Sequence, residues 1–296
     1  MKNLLFCMLL CVLAFPATTD NFAALSLSGL SDKAGFAAGA GNISPTDTSK
    51  FLGLKFGVGA GAIINNTLIS SIKNNSFSSL KIDEYFNLLP NVNSMAYLKI
   101  GLPKLPLFGI IDVGVRVGYF PKINLGQLVD PSVAITYDAL HYGIEARTLL
   151  GEIMNGHLRL DLRISYDHDQ GNLLFRTGGA DSGITFSAEN DIGWKGNSWG
   201  LNLMSGLHFK YFGIYAGLGG SLNSGNLNSA FSVTGTGIVK GYPVNTQIAQ
   251  NDTRKYRPYS LRVMAGIKLL IIYLAGEFDI TTKNYGIYIL PVCLGF

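Results

Sequence analysis

Several stretches of the chain alternate regularly between apolar residues and glycine or charged residues. The clearest is Leu52 to Ile64, in which every second residue is apolar and most positions between are glycine or lysine. The same period of two runs through 111–119, 158–166 and 259–267. Because successive side chains of a β-strand point to opposite faces, each stretch predicts a strand with one apolar face. In a soluble sandwich the apolar face would point into a core, but here charged residues recur too regularly on the opposite face. Five or six apolar residues per strand also match the height of the apolar band of a transmembrane barrel.

These stretches, and weaker ones like them, predict about ten antiparallel strands. The strands are expected at 52–64, 95–102, 107–120, 139–150, 157–167, 198–210, 212–223, 259–269, 271–281 and 285–296. Short turns are expected at 103–106, 151–156, near Tyr211 and near Leu270, and long links at 65–94, 121–138, 168–197 and 224–258. Alternating short and long connections are typical of an up-and-down transmembrane barrel with its short turns in the periplasm. The last link, near Thr282, is the exception because it is short. An extra hairpin within 172–190 would give the alternative of twelve strands.

The chain ends on an aromatic residue that closes the last strand. Counting back from Phe296, every second residue is apolar, through Leu294, Val292 and Leu290 to Tyr288. This layout resembles the insertion signal of bacterial outer-membrane β-barrels. We therefore expect one continuous apolar face on this strand, with the Phe296 ring anchored at the lipid interface.

The first residues have the layout of a secretory signal peptide. A short basic start, Met1-Lys2-Asn3, precedes the apolar run from Leu4 to Phe15, which is too short to span a bilayer as a helix. We expect a signal peptide at 1–19, cleaved between residues 14 and 24. An Ala-, Gly- and Ser-rich segment at 20–50 follows, and then the barrel at 51–296. The middle segment is either a lumenal plug that enters from the periplasmic side or a flexible leader.

Composition fits an all-β membrane protein. Glycine makes up 36 of the 296 residues, aromatic residues 11% and charged residues only 14%, and the mean hydropathy is +0.27. Beyond the signal no run of eighteen apolar residues occurs, and without such helices only a closed barrel satisfies the backbone in lipid. The net charge of +4 is scattered and forms no basic patch for nucleic acid. With the signal removed only Cys293 remains, so we expect no disulfide within the chain, no cysteine metal cluster and no cofactor.

Short motifs occur in a familiar order. They are Gly101-Leu-Pro-Lys-Leu-Pro, Val115-Arg-Val-Gly-Tyr-Phe-Pro, Trp199-Gly-Leu-Asn-Leu-Met-Ser, Ala265-Gly-Ile-Lys-Leu-Leu and the terminal strand Tyr285 to Phe296. In this order the chain resembles a widespread family of uncharacterised outer-membrane proteins, a domain of unknown function found mostly in Bacteroidota-like bacteria. The resemblance implies a membrane barrel without an assigned activity. A more distant likeness to the fatty-acid transporter barrels rests on overall shape and the N-terminal lumenal segment.

The charged residues between the apolar positions are predicted to face the lumen. They are Lys55, Lys99, Asp112, Arg116, Glu145, Arg147, Arg159, Asp161, Arg163, Arg262, Lys268, Glu277 and Asp279. Ion pairs that fill the barrel are the default interpretation, because unpaired charges are costly to bury and a ten-strand interior is only slightly wider than a filled eight-strand one. A narrow polar pore is the alternative, in which these charges set ion preference. The many inward glycines favour a pore or an inserted plug, since they leave space.

Asp167-His168-Asp169 is the sharpest chemical cluster in the sequence, at the outer rim of a predicted strand. An Asp–His pair can activate water, and the three residues could also bind a divalent cation. However, adjacent strand residues point opposite ways, so Asp167 and His168 are expected to diverge. An ordinary solvated loop is therefore the preferred interpretation. His141 and Glu145, four apart on one strand, share a face and are expected to pair in the lumen.

The sequence predicts a non-enzymatic protein of the Gram-negative-type outer membrane, a narrow or plugged pore or transporter for small solutes. One alternative is a closed structural or adhesive barrel whose outer loops, 65–94 and 224–258, bind a surface partner. Another is a rim hydrolase that uses Asp167, His168 and Asp169. The expected partners are the lipid bilayer with lipopolysaccharide-type lipids, the barrel-assembly machinery and small solutes, with no nucleic acid.

Overall fold

The computed structural model describes residues 53–65, 91–103, 109–124, 133–155, 157–181, 184–239 and 242–295, and eight positions between Ala23 and Ala37. Eleven strands are present in these residues: β1 (Leu54–Asn65), β2 (Asn91–Gly101), β3 (Ile111–Asn124), β4 (Val133–Ile153), β5 (Leu158–Asp181), β6 (Ile184–His208), β7 (Phe212–Val239), β8 (Tyr242–Lys255), β9 (Tyr259–Leu269), β10 (Ile272–Asp279) and β11 (Asn284–Gly295). The described positions between Ala23 and Ala37 have helical backbone. None of the described residues belongs to a helix long and apolar enough to cross a membrane.

Ten of the strands close into an antiparallel ring. β1 pairs with β2 on one side and with β11 on the other, and β6 pairs with β7. The first part of β7, residues 212–222, pairs with β9, while its later part, residues 226–239, pairs with β8. The ring is therefore β1 to β7 followed by β9 to β11, and β8 lies outside it. The predicted ten-strand antiparallel barrel is confirmed.

Within the ring the usual polarity of a soluble protein is reversed. On β3, Val115 is 48% exposed on the outer face, whereas its neighbour Arg116 is 3% exposed on the inner face. The same alternation runs along β5 and β9, with leucine, isoleucine and valine outside and charge inside. An apolar outer surface with a polar interior is favourable only where lipid surrounds the ring.

The barrel has two unlike ends. Tight connections join β4 to β5, β6 to β7 and β9 to β10, and they all lie at one end, here called the turn end. At the other end, β4 to β7 continue far beyond the ring and carry β8, and this part is here called the extension. The long links predicted at 121–138, 168–197 and 224–258 are therefore largely strand in the described residues. The hairpin expected within 172–190 is present, since residues 173–181 pair with 184–192, but it lengthens β5 and β6 and does not add two strands.

The extension has the polarity of a soluble β-sheet. On β7, Leu222 is 69% exposed on the outer face, whereas Leu227 and Phe231, farther into the extension, are buried on the inner face. On β6, Trp199 is exposed on the outer face, while Ile192, farther into the extension, is buried inside. The apolar face thus changes sides as the strands leave the lipid. Because of this change, no single apolar face continues along these strands, and alternation alone therefore did not predict that they extend so far.

The terminal strand does not keep a single apolar face. The register between β1 and β11 shifts between Val58 and Ala60, which pair with Val292 and Ile289. Two β11 residues therefore lie opposite one β1 residue, as in a β-bulge, and the bulge exchanges the faces. Tyr288 and Leu290 are buried on the inner face, so the expectation of one continuous face is wrong at these two residues. Leu294 pairs with Phe56, and Phe296 lies outside the described residues.

Candidate functional site: the lumen

One wall of the lumen, formed by β2 to β5, carries a network of ion pairs centred on Glu145. Its carboxylate is contacted by Lys99 and by Arg116, whose guanidinium lies 2.7 Å away, and Arg163 lies 3.7 Å away. Arg116 also donates to Asp167. All these side chains are 3% exposed or less. Since strand pairing sets the four strands side by side in register, alternate residues on them must meet.

A second pair lies nearer the turn end of the same wall. The Arg147 guanidinium donates two hydrogen bonds to the Asp112 carboxylate, at 2.8 and 3.2 Å. This two-bond geometry is the strongest that arginine makes with a carboxylate. Both side chains are buried, so the pair fixes β3 against β4 and excludes water there.

The opposite wall carries charges on β9 and β10 and polar side chains on β7. Arg262 lies 3.4 Å from Glu277 and donates to the Ser221 hydroxyl at 2.7 Å. The Ser260 hydroxyl donates to Asp279 at 3.0 Å. Glu277 also interacts electrostatically with Arg116 and Arg163 of the first wall. The two walls therefore face each other across a filled interior.

Most of the predicted lumenal charges are buried inside the ring. They are Lys99, Asp112, Arg116, Glu145, Arg147, Asp161, Arg163, Arg262, Glu277 and Asp279. The other three, Lys55, Arg159 and Lys268, are partly exposed. Arg159 lies near the turn end, 4.0 Å from Glu152. An open water channel past the buried charged side chains would leave them accessible to solvent. In this conformation the lumen is therefore closed at the level of these side chains.

The inward glycines do not leave empty space. A Cβ on Gly57 would meet the ring of Tyr97, and one on Gly266 would meet the phenol of Tyr215. In both cases the tyrosine lies directly across from the glycine in the strand pairing and covers it. The expectation that glycines leave room for a pore is therefore wrong at these positions. The signal was available in the sequence, since an inward tyrosine facing a glycine on the next strand predicts such a cover.

Asp167, His168 and Asp169 lie within β5, not in a rim loop. As expected, Asp167 and His168 point to opposite faces. Asp167 faces the lumen, where His141 Nε2 lies 3.4 Å from its carboxylate. His168 faces outwards, stacks on Tyr142 with ring centroids 4.8 Å apart, and donates from Nδ1 to Asn197 at 2.7 Å. The strand continues to Asp181, so the expected loop is wrong, although His168 pairs with Asn197 beside Trp199, close to the last apolar residues of the outer face. His141 lies beside Asp167 and Asp169, whereas Glu145, its expected partner, is bound by Lys99 and Arg116.

The described N-terminal residues pack inside the barrel in chain order. Ala23 clusters with Ala188, Phe231 and Val233 in the extension. Leu27 and Ala34 join the cluster of Tyr137, Leu173, Ile192, Leu227 and Tyr256, nearer the ring. Ala37 joins the cluster of Tyr97, Tyr215 and Tyr273 within the ring. The segment thus lies along the lumen with its Ala23 end in the extension and its Ala37 end in the ring, nearer the turn end where β1 begins at Leu54. This placement is compatible with the expected entry from the periplasmic side, which stays a prediction.

A closed ring with an apolar outer face and buried charge inside can be stable only across a lipid bilayer. The described strands form a transmembrane β-barrel.

Comparisons with known proteins find similarity in architecture. The translocator domain of the autotransporter NalP from Neisseria meningitidis has a TM-score of 0.41 and 11% identity, over 94% of this chain and 99% of that one. The β-domain of the Bordetella autotransporter BrkA has a TM-score of 0.28 and 12% identity, over 82% and 97%. The transport unit of AIDA-I from Escherichia coli has a TM-score of 0.20 and 9% identity, over 94% and 98%. Similarity at this level carries no conclusion about activity. No protein-family model and no curated protein matches the chain, so the resemblance to the uncharacterised family stays a prediction.

Proposed function

We propose that this outer-membrane barrel is a conduit for small solutes that its own N-terminal segment closes at rest. The observation that carries the proposal is the ordered packing of Ala23, Leu27, Ala34 and Ala37 against successive levels of the inner face. A segment that lies along the barrel axis occupies the route that a solute would take.

The inner face beneath this segment suits small polar solutes. Besides the ion pairs, the buried inward residues of the ring include Ser165, Ser198, Asn202, Ser221 and Ser260. Hydroxyl and amide groups can exchange hydrogen bonds with a passing solute or with water, at little cost. Among its described residues, three alanines and two leucines, Leu27 and Leu30, pack against the wall, and Lys33 is buried as well. Alanine buries little apolar surface, so the three alanine positions add little to the cost of releasing the segment.

The test compares the full mature chain with a variant that lacks residues 21–41, both refolded and inserted into planar lipid bilayers. We expect few or no conductance steps from the full chain and frequent, discrete steps from the deletion variant. A deletion variant that is folded, as judged by heat-modifiable mobility, yet silent would contradict the conduit. It would mean that the ion pairs alone close the ring.

A closed barrel that presents the extension to a surface partner is the second candidate. It is favoured by the change of polarity along β6 and β7, which makes the extension a folded sheet with a polar outer face. Here the test removes residues 228–250 and measures the adherence of cells that express the variant to an abiotic or cellular surface. If this candidate is right, the variant no longer adheres although its barrel is folded. Unchanged adherence would exclude the hairpin of β7 and β8 as the binding element.

A further inference from the structure

The outer face of the barrel carries an apolar trough that crosses β1 to β6. Its volume is about 530 Å³, and outward side chains such as Leu98, Val115 and Ile144 line it. The β6 end of the trough is formed by Tyr166 and Trp199. The outside of a closed barrel is generally convex, so a concave apolar surface of this size is a local feature that can seat a chain-like ligand.

A polar group lies directly beyond the aromatic end of the trough. Asn197 Oδ1 accepts a hydrogen bond from the Tyr166 hydroxyl at 2.8 Å and another from His168 Nδ1 at 2.7 Å. Because Oδ1 takes both bonds, the amide nitrogen of Asn197 is the atom that can donate to a ligand. Lys195, two residues farther along the same face of β6, is exposed. A cation and an amide donor therefore stand together at the level where the outer face changes from apolar to polar.

We propose that the trough and this polar end form a binding site for one phosphate-bearing membrane lipid. An acyl chain fills the trough, the ring of Trp199 lies at the interface, and the phosphate accepts hydrogen bonds from Lys195 and Asn197. Aromatic side chains with one apolar and one wet edge are favoured at this depth, and a lysine ammonium is a common partner of phosphate. The site is independent of what passes through the lumen.

The experiment measures lipid retention by the folded, detergent-solubilised full chain with native mass spectrometry. The probes are phosphatidylglycerol, diacylglycerol with the same acyl chains, and glycerol 3-phosphate as a soluble competitor. Lys195→Glu removes the cation, and Ala146→Trp fills the trough from an exposed position on β4. Lys283→Glu, at an exposed position in the turn between β10 and β11, is the matched charge control. We expect one phosphatidylglycerol per barrel, at least tenfold lower retention in the first two variants, and no change in the control.

Three results would overturn the site. Equal retention of phosphatidylglycerol and diacylglycerol would show that the site does not recognise the phosphate. Full retention of phosphatidylglycerol by Ala146→Trp would show that the acyl chain does not bind in the trough. Competition by glycerol 3-phosphate at the concentration of the lipid would indicate a site for free phosphate esters. Heat-modifiable mobility confirms that each variant is folded, and Lys195→Gln replaces Lys195→Glu if that variant does not assemble.

Discussion

Tyr215 and Tyr273 stack face to face inside the lumen, with ring centroids 4.6 Å apart and planes 3° from parallel. They belong to β7 and β10, which do not pair with each other, because β9 runs between them. Tyr215 reaches its partner by crossing over Gly266 of β9, and its hydroxyl donates to the Leu274 carbonyl at 3.2 Å. The stack ties three strands together without a backbone hydrogen bond between the outer two.

Gly266→Val is expected to disrupt this stack. A Cβ at position 266 would lie 2.6 Å from the Leu274 carbonyl oxygen and collide with the phenol of Tyr215. Overpacking of this kind costs about 1–3 kcal/mol. Urea unfolding of the protein in lipid vesicles should show a lower midpoint. Gly235→Val is the control, since no atom lies within 4 Å of a Cβ built there. Equal midpoints for the two variants would mean that the tyrosine stack adapts.

Glu145→Gln is expected to destabilise the barrel strongly. Lys99, Arg116 and Arg163 share this carboxylate, and its neutralisation leaves buried cations with one anion fewer. Breaking a buried ion pair by removing one partner costs about 3–5 kcal/mol. The matched control is Glu152→Gln at the turn end, where the side chain is 54% exposed and the change should stay within about 0.5 kcal/mol. Both free energies of unfolding come from urea titrations in vesicles, and similar losses would show that the network does not depend on this charge.

The sequence predicts the ring well because lipid imposes one rule on every strand. Residues such as Val115 and Arg116 fall on the faces that alternation assigns to them. The rule that apolar residues face outwards fails where the lipid ends, since Leu227 lies on the inner face. It also fails at the β-bulge of β11, where one added residue places Leu290 on the inner face. Local sequence does not encode either change. The partners of His141 also depend on strand register, which links residues more than twenty positions apart.

The docked N-terminal segment is expected to give the barrel a specific pH dependence through Lys33. This residue is buried at the level of the extension, just before Ala34, and burial lowers its pKa to about 7 from an ordinary value of 10.5. Between these values the unfolded chain holds a proton that the docked form does not, so stability rises with pH in this window, by at most about 1.4 kcal/mol per pH unit. Below pH 7 both forms are charged and the contribution is constant.

The measurement compares the free energy of unfolding of the parent protein with that of Lys33→Met, which has a neutral side chain of similar length. At pH 7 the variant should be the more stable of the two. Its advantage should shrink steadily as the pH rises towards 10.5, because the parent no longer has to give up a proton on docking. An advantage that is the same at pH 7 and pH 10 would show that Lys33 stays charged in the docked state.

Leu27→Asp is expected to release the N-terminal segment without shortening the chain. Leu27 is fully buried against Tyr137, Leu173, Ile192 and Leu227. A carboxylate placed among these side chains loses its hydration, so docking becomes less favourable. In planar bilayers this variant should show conductance steps of the size produced by the 21–41 deletion, although less often, since the released segment can still enter the lumen. Leu27→Met conserves volume and apolar character and should behave like the parent. If Leu27→Asp is as silent as the parent while the deletion conducts, the contacts in the extension do not hold the segment, and those at Ala37 within the ring must close the lumen.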